Sequence, residues 1–226
     1  MNQVVLFDQK WQKFLRRTWL FRYCPFVDFV LAAGSMALGD IHQDSDFDVI
    51  VACREDRLFT ARFFCLLFFD FFGWRRPRRG APARFRDKVC FNHFVTPTSF
   101  RLSPPHNLYW RELYLNLVPV YGPPEKINGF FKANADWMKK ERIFYDDLRH
   151  QFADFANPGE KLLRGRLGDR LERLLGRLQL AKIQKGLRRS PPGYEPRLVI
   201  NNKELEFHPD TYRIKHKLKS LSADVD

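Results

Sequence analysis

The chain has 226 residues, 45% of them hydrophobic, enough to bury a sizeable core in one large domain or two small ones. Its 39 Lys and Arg against 26 Asp and Glu leave a net charge of +13, which draws polyanions and nucleotides to the surface without naming them. The Phe-rich run ARFFCLLFFDFFGW is too short to span a bilayer and is interrupted by Asp70, so it reads as a buried helix and no membrane partner is expected. The N-terminus shows no apolar segment followed by a small-residue cleavage site. Cys24, Cys53, Cys65 and Cys90 form no CxxC pair and each lies in an apolar run. These features argue against a disulfide framework or structural zinc and fit a reduced, cytoplasmic setting.

Residues 8–23 carry Trp11, Phe14, Leu15 and Trp19 at helical spacing with basic residues between. FVDFVLAAG reads as a strand entering a Gly turn, SMALGD as one helical turn, and DFDVIVAC as a central strand. REDRLFTARFFCLLFFDFFGW predicts a helix stopping at Gly73. In RRPRRGAPARFRDK, Pro77, Gly80 and Pro82 exclude a regular helix, leaving a basic loop before the strand KVCFNHFVT. PTSFRLSPPHN is a linker. From about Asn107 the pattern turns helical: LYWRELYLNLVPVYG up to Gly122, then PPEKINGFFKANADWMKKE, then an Arg-rich amphipathic helix near 161–189. RLVI and ELEFH predict a short hairpin around NNK, and PDTYRIKHKLKSL a closing basic helix.

The stretch GSMALGDIHQDSDFD carries the chemistry. Asp46 and Asp48 are two apart on a strand, so they share a face with Cα atoms about 6.5–7 Å apart. Two carboxylates on one face repel unless a divalent cation neutralises them, and oxygen ligands suit Mg²⁺ or Mn²⁺. Gly34 lets a phosphate approach the backbone, and the following N–H groups with the Ser35 hydroxyl can hold its oxygens.

This string, GSMALGDIHQDSDFDVIVA, resembles the signature of the DNA polymerase β-like nucleotidyltransferase superfamily, and is especially similar to the small bacterial and archaeal minimal nucleotidyltransferases. The resemblance implies that Gly34 and Ser35 bind nucleotide phosphates and that Asp46 and Asp48 bind the metal. It also implies a third acid on the next strand, and KVCFNHFVT has none. Asn92, on a face with Cys90 and Phe94, is the best occupant of that slot; Asp87 and His93, the latter on the opposite face with Phe91 and Val95, are weaker substitutes. The second half looks like uncharacterised prokaryotic proteins that carry this domain with a helical extension.

The expected fold is α+β: a nucleotidyltransferase-like small mixed sheet with packed helices over residues 1–105, then a mostly helical part over 106–226 with a hairpin near 197–207. The expected activity is Mg²⁺-dependent transfer of a nucleoside monophosphate from an NTP to a hydroxyl on RNA, a protein or a small molecule, with release of pyrophosphate. Arg75, Arg76, Arg78, Arg79, Arg84 and Arg86 are candidates for guiding a phosphate-rich acceptor such as RNA. The competing expectation is a protein of this fold that binds nucleotide or RNA without catalysis.

Overall fold

The computed structural model describes residues 2–77, 81–144, 147–151, 157–188 and 196–208. Arg78, Arg79 and the segment PDTYRIKHKLKSL lie outside the described residues. Within them the chain forms seven α-helices and one six-stranded mixed sheet. The first half supplies α1 (Gln3–Thr18), β1 (Val27–Ala32), α2 (Gly34–Leu38), β2 (Phe47–Cys53), α3 (Leu58–Phe71) and β3 (Val89–Val95). The second supplies α4 (Leu108–Asn116), β4 (Val118–Tyr121), α5 (Pro124–Met138), α6 (Pro158–Leu162), α7 (Arg166–Leu187), β5 (Arg197–Ile200) and β6 (Glu204–His208). No described helix is long and apolar enough to cross a membrane.

The strand order is β4-β1-β2-β3-β6-β5, so first-half strands form the centre and second-half strands both flanks of the same sheet. β2 and β3 are parallel, with α3 in the crossover, and the other neighbouring pairs are antiparallel. The helical reading of LYWRELYLNLVPVYG is corrected here: α4 ends at Asn116, Leu117 turns extended, and VPVY pairs with β1 as β4. Pro119 has no N–H to donate to a ladder, which an edge strand tolerates. The Arg-rich segment is likewise two helices, α6 and α7, parted near Gly165. Glu172 of α7 accepts from the N–H groups of Phe59 and Thr60 at 2.8 Å, satisfying the first turn of α3.

Two apolar clusters cover the two faces of the sheet. On one face Trp11, Phe14, Phe69, Leu175 and Ile183, from α1, α3 and α7, pack on Phe47, Val49, Val51, Phe91 and Phe94. On the other, Trp110, Leu113, Tyr114, Phe130 and Phe131, from α4 and α5, pack on Phe29, Leu31, Ile50 and Ala52. Each fully buried Phe or Leu contributes about 1.5–3 kcal/mol.

β3 carries a bulge that decides what faces the site. Val49 pairs with Phe91 but Ile50 pairs with His93, leaving Asn92 as the extra residue. Alternation shifts by one beyond it. Phe91 and Phe94 both enter the α3 side, while Asn92 and His93 line one cavity on the α4 side. The expectation that His93 opposes Asn92 and that Phe94 joins it assumed unbroken alternation, and the bulge overturns it.

Candidate metal–phosphate site

The end of β1 and the start of β2 build the site together. Ala33 N–H donates to the Asp48 carbonyl at 2.9 Å, tying the Gly34 turn to β2. Gly34 adopts φ +58°, and a Cβ there would lie 2.1 Å from Asp48 Oδ2. The carboxylate of Asp48 fills the space that any side chain at position 34 would need. Ser35 follows, half-buried in the first turn of α2. The loop before β2 is fastened from below by Lys10, whose ammonium donates to the Gln43 and Ser45 carbonyls at 2.7 and 2.9 Å.

Asp46, Asp48 and Cys90 each offer a ligand atom, and these atoms lie within 4.8 Å of one another. Asn92 Nδ2 donates to Asp48 Oδ1 at 2.9 Å. Arg76 Nη1 lies 2.9 Å from Asp46 Oδ2, donates to Cys90 Sγ at 3.4 Å, and its guanidinium sits 4.3 Å from the Phe85 ring centroid. Burial and the charge of Asp46 push Asp48 up to about 7, against the opposing pull of Arg76, Cys90 and Asn92. Burial, then Asp48 and Asp46, raise the Cys90 thiol well above its ordinary value, so it stays protonated and is a poor ligand.

The residues fit one divalent cation. Two carboxylates face one guanidinium, and burial together with the Asp46 charge favours a proton on Asp48 below about pH 7 that a metal would displace. Asn92 Oδ1 is buried with no hydrogen-bond partner among the described residues, which leaves an amide oxygen at the same place. A mostly oxygen donor set suits Mg²⁺ or Mn²⁺ over softer ions.

Gly34, Asp46, Asp48 and Asn92 are thus brought together, with Arg76 from the basic segment. Arg75 turns away to Asp70 at 2.6 Å and bridges Val89; Arg84 and Arg86 are exposed. Asp87 serves α1 instead of the site, pairing with Lys10 at 2.8 Å and Lys13 at 2.5 Å. Burial alone would raise its carboxyl, and the two lysines outweigh that and hold it below the ordinary value.

Two sets of residues escaped the sequence reading. Cys90 lies in an apolar run that marks it as a small hydrophobe, yet its thiol faces the aspartates. Glu204, Glu206 and His208 alternate along β6 with Leu205 and Phe207, which pack into the α3-side cluster. β6 pairs with β3, His93 opposite Glu206, so these polar groups stand on the site face one strand over. The period of two in ELEFH is the same signal as in DFD and was there to be read.

Comparisons of this chain with protein-family models, curated proteins and solved structures each gave no match. The site therefore has to be interpreted from its own geometry.

Proposed function

We propose that the protein is a Mg²⁺- or Mn²⁺-dependent nucleotidyltransferase acting in the cytoplasm. The observation that carries this reading is the packing of the Asp48 carboxylate into the Cβ position of Gly34, which places a backbone turn against a two-aspartate face. Asp46 and Asp48 would hold the metal, Gly34 and Ser35 the phosphates of an NTP. The bound ion would supply charge neutralisation on the transferring phosphoryl group. The acceptor hydroxyl oxygen bonds to the α-phosphorus as the α–β bridging bond breaks and pyrophosphate leaves with the electron pair. Asn92 cannot take the hydroxyl proton, so a carboxylate of the pair or water must. The net charge of +13 supports RNA as the acceptor over a neutral small molecule, with Arg84 and Arg86 exposed on either side of Phe85, whose ring Arg76 covers.

One observation favours a second reading. Where the resemblance implies a third acid, Asn92 donates to Asp48, and Arg76 already pairs with Asp46. A protein that binds nucleotide or RNA here without chemistry would need neither a third acid nor a free Asp46.

The test is incubation with each labelled NTP, Mg²⁺ or Mn²⁺, and total RNA or cell lysate. Label transfer is expected, falling about a thousand-fold in Asp46→Ala or Asp48→Ala, since a catalytic metal supplies several kcal/mol. RNA binding that survives both substitutions, with no transfer under any metal, sinks the enzyme and leaves the binding protein.

A further inference from the structure

The bulge at Asn92 turns His93 onto the face that also carries Glu204, Glu206 and His208, and this cluster is separate from the aspartate pair. His93 stands across the β3–β6 ladder from Glu206, and His208 is two residues further along the same strand. One ligand atom from each of these three lies within 4.8 Å of the others. Glu206 Oε1 and His208 Nε2 are 3.3 Å apart. The edge of a tetrahedral site with metal–ligand bonds of about 2.0–2.1 Å is about 3.3–3.4 Å.

The cluster is buried and not all of its polar atoms are paired. Glu204 and Glu206 are 4% and 0% exposed, and one guanidinium, Arg197, donates to Glu206 Oε1 at 2.8 Å. Glu206 Oε2 and His208 Nε2 are buried with no hydrogen-bond partner among the described residues, and so is Tyr114 Oη nearby. Each such orphan costs about 1–3 kcal/mol unless something binds it. Glu204 Oε1 lies 3.0 Å from His93 Nε2, the carboxylate buttress that fixes the orientation of a metal-binding imidazole.

We infer that His93, Glu206 and His208 bind a transition ion of the Zn²⁺ class, with Glu204 orienting His93 and Arg197 orienting Glu206. Two imidazoles and a carboxylate select zinc-type ions over Mg²⁺, which distinguishes this site chemically from the oxygen-rich aspartate pair. A fourth position opens toward a cavity of about 40 Å³ lined by His93, His208, Tyr114 and Asp48, room for a single water. The ion ties the β5–β6 hairpin to β3.

The experiment uses the full chain, stripped with chelator and dialysed against micromolar Zn²⁺. Elemental analysis is expected to find one equivalent retained, lost in His208→Ala and kept in Asp48→Ala. With Co²⁺ as the probe, the protein is expected to show the visible absorption of a tetrahedral site. His208→Cys should keep the ion and add a sulfur-to-cobalt charge-transfer band, which a purely structural His208 cannot produce. Circular dichroism confirms that each variant is folded. Folded wild-type protein that retains no zinc overturns the inference. So does zinc that persists in His208→Ala but leaves with Asp48→Ala, because the ion would then belong to the aspartates. Retention of no zinc leaves nucleotidyl transfer standing, because that reading is judged by label transfer with Mg²⁺ or Mn²⁺ alone.

Discussion

The two faces of the sheet are built from alternate residues of the same strands and do different work. Phe47, Val49, Phe91, Phe94 and Leu205 point into the cluster under α1, α3 and α7. Their sequence neighbours Asp46, Asp48, Cys90, Asn92, His93, Glu204 and Glu206 carry the polar groups of the site and of the β6 cluster. Both faces carry an apolar cluster, but the polar groups stand only on the α4 side, so each sits on backbone held by an apolar neighbour that packs on the α3 side. The two properties, stability and chemistry, should come apart under mutation.

Phe69→Ala is the largest expected blow to stability alone. Phe69 is fully buried, with the Phe21 and Phe91 rings 4.9 and 5.0 Å away. Its truncation is expected to cost about 3–5 kcal/mol by denaturant unfolding, while the rise in melting temperature expected on adding Mg²⁺ to the wild type should persist in the variant. Loss of that rise would break the division between the faces. Gly34→Ala should act on both properties. It forces a Cβ into Asp48 at φ +58°, at a cost of about 2 kcal/mol, and should abolish the Mg²⁺ response. Gly39→Ala, at φ +73° with open space around it, should cost about 1 kcal/mol and keep the response.

A separate effect is a slope with pH. Asp48 titrates near 7 when folded against 3.8 ordinarily, so between those values the folded state holds a proton that the unfolded chain has lost. The stability this group contributes is complete below 3.8, falls as pH rises toward 7 and then levels. The groups facing it are Asp46, Arg76, Cys90 and Asn92, with Tyr109, whose hydroxyl burial and the Asp48 charge raise to about 12. Denaturant titrations of Asp48→Asn across this range should lack the slope. At alkaline pH without metal the variant should equal or exceed the wild type, because the buried charge and its repulsion with Asp46 are gone. Mg²⁺ should stabilise the wild type more at high pH than at low, where protons compete for Asp48.

Most local structure was legible because it follows from local pattern. α1, α3, α5, the first three strands and the final hairpin come from periodicity, and the Gly34 turn with Asp46 and Asp48 from a compact motif. What the sequence hid depends on pairing across distance. VPVY continues the apolar pattern of α4, and only β1 makes it a strand. The bulge at Asn92 exists because β2 and β3 pair out of step, and no residue type in KVCFNHFVT announces it. ELEFH was visible as a hairpin arm, but that it lies against β3 is set by the whole sheet. The site is therefore half readable: its aspartates are encoded within fifteen residues, whereas Arg76, Cys90 and Asn92 are brought to them by the pairing of β3 with β2.

The strand order has a consequence for how the protein is made. A ribosome delivers β1, β2 and β3 first, while the partners of the outer two, β4 and β6, emerge later. Until Glu204–His208 has left the exit tunnel, the backbone of His93–Val95 presents unpaired donors and acceptors along an open edge. The nascent chain thus carries a sticky border beside its aspartate pair, and the last described strand both seals that border and completes the polar cluster.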